Sequence, residues 1–234
     1  MKIFITGANR GLGLALAKTA LERGHEVFAG ARSLDPKKLS QLKDLQNRFG
    51  AKLIPVEIDV SDESGVIRAF QQVKRHTERL DAVINNAGIL MGRERSIADT
   101  DLDECMDTMN VNAFGPLRVI KHFLPLLKKG DNPTVINVSS DAGSISSAYG
   151  GDYAYGLSKA ALNMLTAKAK KELKASGIRV FSVHPGWMRT DMGGPSAEIE
   201  PEIPAAGICK MIEFSDFPEQ DLILVDYEGK PMDI

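Results

Sequence analysis

Glycines at positions 7, 11 and 13 follow directly on the apolar run Lys2-Ile3-Phe4-Ile5-Thr6, and no other feature constrains the fold as much. β-branched and aromatic residues predict a short strand there. The glycines permit a tight turn, and the apolar stretch from about Gly11 to Arg23 predicts a helix. The same strand-then-helix rhythm recurs along the chain. Further strands are expected at His25–Gly30, Leu53–Ile58, Asp81–Asn85, Thr134–Val138, Ile178–Val183 and Leu222–Val225. Alternation of this kind implies an α/β fold. Its sheet is mostly parallel and doubly wound, with helices on both faces in three α/β/α layers and right-handed crossovers. No Ser/Pro-rich linker or charge block interrupts the 234 residues, so residues 1–234 read as one domain.

The second informative feature is Tyr155-Gly-Leu-Ser-Lys159, fifteen positions after Ser140. On a helix, residues four apart are neighbours, which places an ammonium beside a phenol. That charge is expected to favour the phenolate and lower the tyrosine pKa from about 10. The same spacing also suits a solvated lysine on an amphipathic helix, so the pair alone does not decide. A further signal is Pro116 in Val111-Asn112-Ala113-Phe114-Gly115-Pro116. Proline has no N–H, so the carbonyl of Asn112 loses its partner in a helix expected from about Asp101 to Lys128. A kink there frees an acceptor for water.

Thr6-Gly7-x-x-x-Gly11-x-Gly13, Asn85-Asn86-Ala87-Gly88, Ser140, Tyr155-x-x-x-Lys159 and Pro185-Gly186 followed by Thr190 occur in this order across nearly the whole chain. Together they resemble the short-chain dehydrogenase/reductase (SDR) family with its Rossmann fold, most of all the carbonyl-reductase-like branch that includes C-factor and sniffer. The resemblance implies a reversible oxidoreductase acting on a ketone or aldehyde. Tyr155 is then the proton donor and acceptor, Ser140 holds the substrate oxygen, Lys159 binds the nicotinamide ribose, and Asn112 completes the catalytic set through a proton relay. The Ser140-to-Tyr155 interval is slightly longer than is usual in the family. The extra length is expected in the Gly/Ser-rich stretch Ser144–Asp152, at the pocket mouth.

The resemblance also implies a dinucleotide contact set. It comprises Gly7, Asn9, Arg10, Gly11, Leu12 and Gly13 at the pyrophosphate; Asp59 and Val60 at adenine; Asn86, Ala87 and Gly88 beneath a ribose; and Pro185, Gly186, Trp187, Met188 and Thr190 at the nicotinamide, with Tyr155 and Lys159. The turn-then-helix geometry supports an anion physically, through backbone N–H groups and the positive helix end. The end of the second strand offers Arg32 where an NAD-specific site places an acid, and Arg10 stands nearby in the turn. Two guanidiniums suit a 2′-phosphate, so NADP(H) is expected in preference to NAD(H).

Composition narrows the rest. Twenty-nine basic and 31 acidic residues leave a net charge of −2 with no basic stripe, so no nucleic-acid partner is expected. No apolar stretch approaches the roughly twenty residues of a membrane span, and a cytoplasmic protein is expected. Cys105 and Cys209 read as free thiols, and His25, His76, His122 and His184 read as structural, with no metal site. Residues 187–204, rich in Gly, Pro and Met, are expected to form a mobile substrate lid rather than a strand or long helix. Leu90, Met91, Ile145, Tyr149, Trp187 and Met192 are expected to supply an apolar wall for a lipophilic carbonyl. Family analogy implies a homodimer or homotetramer through the helices beginning near Asp101 and Asp152. The residues 226–234 either close the pocket or join an interface. A second function stays open: a dinucleotide-binding signalling or regulatory protein of the C-factor type, in which catalysis is secondary.

Overall fold

The computed structural model describes residues 1–37, 39–214 and 223–234. Seven strands form one parallel sheet: β1 Lys2–Ile5, β2 Glu26–Ala31, β3 Leu53–Glu57, β4 Ala82–Asn85, β5 Thr134–Val138, β6 Arg179–His184 and β7 Leu224–Asp226. Leu222, expected to open the last strand, lies outside the described residues. The order across the sheet is β3-β2-β1-β4-β5-β6-β7. The chain therefore winds outward from β1 to β3, then returns to the other side of β1 with β4. At that reversal the loops leaving β1 and β4 diverge, opening a crevice beyond the strand ends where ligands settle in such sheets.

Strand residues are apolar on both faces because helices cover both. On one side α1 (Gly11–Glu22), α2 (Ser40–Phe49) and α7 (Glu202–Glu213) bury Leu12, Leu16, Leu42, Leu45, Ile208 and Ile212 against Ile3, Ile5 and Val27. On the other, α3 (Glu63–His76), α5 (Gly115–Leu127) and α6 (Tyr153–Leu173) bury Val66, Val73, Phe123, Leu126 and Leu173 against Phe4, Phe28 and Val83. Phe4 stacks on Phe123 with ring centroids 4.4 Å apart, and Phe70 meets Phe123 edge-on at 5.8 Å. Each such side chain, fully buried, contributes about 1.5–3 kcal/mol.

Two expectations about elements are corrected. The long helix around Asn112 is three pieces: α4 (Leu102–Met109), capped by the Asp101 carboxylate, a π-helical turn over Asn110–Phe114, and α5 with Pro116 in its first turn. Pro116 has no N–H, and the helix runs on through it by widening rather than breaking. The wide turn absorbs the misfit, with the Gly115 N–H reaching back to Asn110 O. The proposed lid, residues 187–204, is also not irregular throughout. Glu202, Ile203 and Pro204 open α7, since proline is tolerated in a first helical turn. Upstream, Arg189 N–H bonds Ile199 O at 2.9 Å and Ile199 N–H bonds Trp187 O at 3.2 Å, closing a short loop.

Candidate active site

Thr6 and Asn86 stitch together the turns that leave β1 and β4. The Thr6 hydroxyl accepts the N–H groups of Asn86 and Ala87, each at 3.0 Å, while the Asn86 amide donates to Thr6 O at 2.9 Å and Gly7 O at 3.1 Å. This fixes Gly7, which has φ +65°, against Ala87. A Cβ on Gly13 would lie 2.1 Å from Gly7 O, so only glycine lets α1 start this close to the turn. No side chain caps α1. Its first N–H groups are therefore available to an anion in the crevice.

The remaining residues assigned to the dinucleotide surround this turn. Asn9 and Gly11 are part-buried, and Leu12 is buried beneath them. Arg10 is exposed and pairs at 2.6 Å with Asp191, and Arg32 is exposed just beyond β2. No acid directly follows β2 in sequence, where Arg32-Ser33-Leu34 stand, although Glu57 of β3 pairs in register with Ala31. Asp59 accepts the Ser61 N–H at 2.9 Å, and Val60 is buried against Gly115. Gly88 faces the Asn112 amide. The donor set thus fits a phosphorylated dinucleotide: a cradle that a Cβ would fill and an open helix N-terminus, with Arg32 exposed just beyond β2 and Arg10 exposed in the turn, paired to Asp191.

The α6 N-terminal half lies beside the end of β5, bringing together four residues separated in sequence. The Asn112 amide donates to Ile89 O at 2.8 Å and Ser158 Oγ at 3.0 Å and accepts the Ile89 N–H at 2.9 Å, tying the π turn to the β4 loop and to α6. The Lys159 ammonium is buried, donates to Val138 O at 2.8 Å and sits 5.3 Å from the centre of the Tyr155 ring. Ser140 lies near enough to the Tyr155 phenol to draw its pKa down, whereas the Ser139 hydroxyl turns away to Asn163 at 2.7 Å.

The electrostatics reverse one expectation. Burial pushes the Tyr155 phenol up to about 12, against a smaller downward pull from Ser140, rather than the lysine drawing it down. Burial also lowers Lys159 to about 8. With no carboxylate paired to Lys159 among the described residues, desolvation dominates both groups. The arrangement holds a neutral, proton-bearing phenol next to a hydroxyl and a weakened ammonium.

Beyond β6, Pro185 is buried, Gly186 has φ +80°, and Met188 pairs with Ile199 across the loop. The Trp187 indole donates to Gly193 O at 2.8 Å, and Thr190 lies against Gly11, so this segment spans the crevice onto the glycine turn. Ile145, Tyr149, Trp187 and Met192 are exposed, while Leu90 and Met91 are half-buried. Several residues here escaped the sequence reading. Asp141 bonds Ser140, His184 takes the Asp141 N–H, Arg93 reaches Met192 O, and Asp191 holds Arg10. Adjacency to Ser140 and Thr190 is the signal that could have flagged Asp141 and Asp191.

Residues 1–200 match the short chain dehydrogenase family. The chain belongs to this family. It is an oxidoreductase of the short-chain dehydrogenase type, and its parallel sheet is the family's Rossmann-like fold. NADPH-bound carbonyl reductase from chicken fatty liver superposes with a TM-score of 0.91 at 31% identity, covering 100% of this chain and 98% of that one. The carbonyl reductase Sniffer of D. melanogaster gives 0.91 at 32% identity, covering 100% and 99%. C-signal of Myxococcus xanthus is 38% identical over 154 residues, which is 65% of this chain and 92% of that protein.

Proposed function

We propose that this short-chain dehydrogenase reduces a ketone or aldehyde to an alcohol, reversibly, with NADP(H) as the preferred cofactor. The convergence of Ser140, Tyr155 and Lys159 beside the glycine turn carries this reading. The likeness to an NADPH-bound carbonyl reductase supports it. Arg10 and Arg32, with no acid directly following β2 in sequence, support the choice of cofactor. The remaining dinucleotide contacts are those assigned from Gly7 to Thr190 above. When bound, the cofactor supplies the hydride.

The protein's own residues handle the proton. Tyr155, protonated below about pH 12, donates to the substrate oxygen as charge develops there. The Ser140 hydroxyl polarises the carbonyl, and Lys159 stabilises the resulting phenolate with a charge held in a water-poor setting. Asn112, tied to Ser158 beside Lys159 in the chain, takes the proton-relay role that the family resemblance gives it. The exposed apolar residues Ile145, Tyr149, Trp187 and Met192 favour a lipophilic substrate, with residues 187–201 as its cover. Exposed Leu102, Met106, Leu157 and Met164 on α4 and α6 suit self-association.

Loss of NADPH absorbance against a panel of aldehydes, ketones and diones tests the reading. Tyr155→Phe should lose about 10²- to 10⁴-fold in turnover while keeping cofactor affinity, and NADPH should outperform NADH. Unchanged turnover in Tyr155→Phe refutes the mechanism, and a preference for NADH refutes the cofactor assignment. The relation to C-signal supports a second reading, a dinucleotide-binding signalling protein. Tight NADPH binding without turnover of any carbonyl favours it.

A further inference from the structure

The glycine turn is tethered from two directions, because β2 and β6 lie on opposite sides of β1. Toward β2, the Ala8 N–H bonds Gly30 O at 2.8 Å, which sets the turn beside the strand end that Arg32 follows. Toward β6, Gly11 packs against Thr190, whose methyl lies 3.3 Å from where a Cβ on Gly11 would stand. Arg10 sits between these two tethers, and its guanidinium has gone to the β6 side. Nη1 donates to Asp191 Oδ2 at 2.6 Å, and neither side chain has another hydrogen-bond partner among the described residues. They are 62% and 76% exposed, so water and salt screen the pair and leave it readily exchanged. The backbone around Asp191 is fixed independently of Arg10. Thr190 N–H bonds Met188 O at 2.9 Å, Gly194 N–H bonds Thr190 O at 2.8 Å, and Arg93 reaches Met192 O at 3.0 Å. The carboxylate can therefore be removed without undoing the loop that carries it.

We infer that Asp191 is a specificity-determining residue: its carboxylate holds Arg10 in the ligand-free protein and competes for it with the 2′-phosphate of NADP(H). This rests on the NADP(H) reading above. A phosphate monoester offers three acceptor oxygens and about two negative charges at neutral pH, so it displaces a single carboxylate contact. NAD(H) has a hydroxyl at that position and nothing to draw Arg10 away, so the ion pair persists in its complex. The carboxylate thus lowers affinity for NADP(H) alone and narrows the gap between the two cofactors. The pair reforms as the dinucleotide leaves, which eases release of the oxidised product as well.

The test is calorimetric titration of NADPH and of NADH, without substrate, into wild type, Asp191→Asn, Arg10→Ala and the double variant. Asp191→Asn should bind NADPH about two- to fivefold more tightly, the range an exposed ion pair allows, with NADH unchanged. Asp191→Glu keeps the charge and should restore most of the wild-type value. In the Arg10→Ala background the Asp191→Asn change should no longer matter, since the two act through one contact. A gain equal for both cofactors, or one that survives in Arg10→Ala, reports a general effect of charge and overturns the inference. Unchanged NADPH affinity in Asp191→Asn also overturns it, and leaves a wild-type preference for NADPH standing. Wild type that binds NADH as tightly as NADPH overturns the cofactor reading and the inference together.

Discussion

Lys159 shows what the site costs the fold. Its ammonium is buried with a single carbonyl contact, and burial lowers it from 10.5 to about 8. The unfolded chain therefore binds more protons than the folded one between those values, and stability rises with pH across that window. Below pH 8 the full penalty is present. Lys159→Met should accordingly be more stable than wild type at pH 7, by about 1–3 kcal/mol, with the difference vanishing as pH climbs past 10. Denaturant unfolding at pH 7 and pH 10 checks this. An equal gain at both pH values removes burial of charge as the cause. That residues 155 and 159 share a face was legible from the helix period, but not their role, since the same spacing suits a solvated lysine. The direction of the tyrosine shift was not legible either, because it depends on how deeply the phenol is buried and on how near Asp141 comes in space. Neither quantity can be read from neighbours in sequence.

At the scale of elements, the glycine turn and α1 depend on one close approach. Gly13→Ala places a methyl 2.1 Å from Gly7 O, backbone against backbone, where neither partner can swing aside. Overpacking of this kind costs about 1–3 kcal/mol or more. Gly13→Ala should lower the Tm by several degrees and weaken NADPH binding, whereas Gly150→Ala, with no atom near its added Cβ, should match wild type. Calorimetry and cofactor titration compare them, and an undisturbed Gly13→Ala contradicts the packing argument. The strand and helix positions here were readable because apolar runs and glycines coincide. The π turn over Asn110–Phe114 was only half readable: Pro116 announces a lost hydrogen bond but does not dictate whether the helix bends or widens. Asp191 was invisible for a different reason, since its partner Arg10 lies 181 residues away.

For the whole molecule, alternation of strands and helices was enough to foresee a doubly wound parallel sheet. What it could not foresee was how the sheet ends. On one side, β3 carries Pro55, which offers no N–H, and the Gln72 amide covers the Pro55 carbonyl at 3.0 Å. On the other, residues after β7 fold back: Asp226 N–H bonds Lys230 O at 2.9 Å, Met232 N–H bonds Leu224 O at 3.0 Å, and Val225 pairs with Pro231. Removing residues 227–234 should leave β7 with an unpaired rim and produce scattering that grows with concentration and time. A monodisperse truncated protein, by light scattering, contradicts that role. Pro55 on one rim and the returning turn on the other make each edge a poorer template for a foreign strand. A fibre built by zipping sheet edges together is thereby disfavoured.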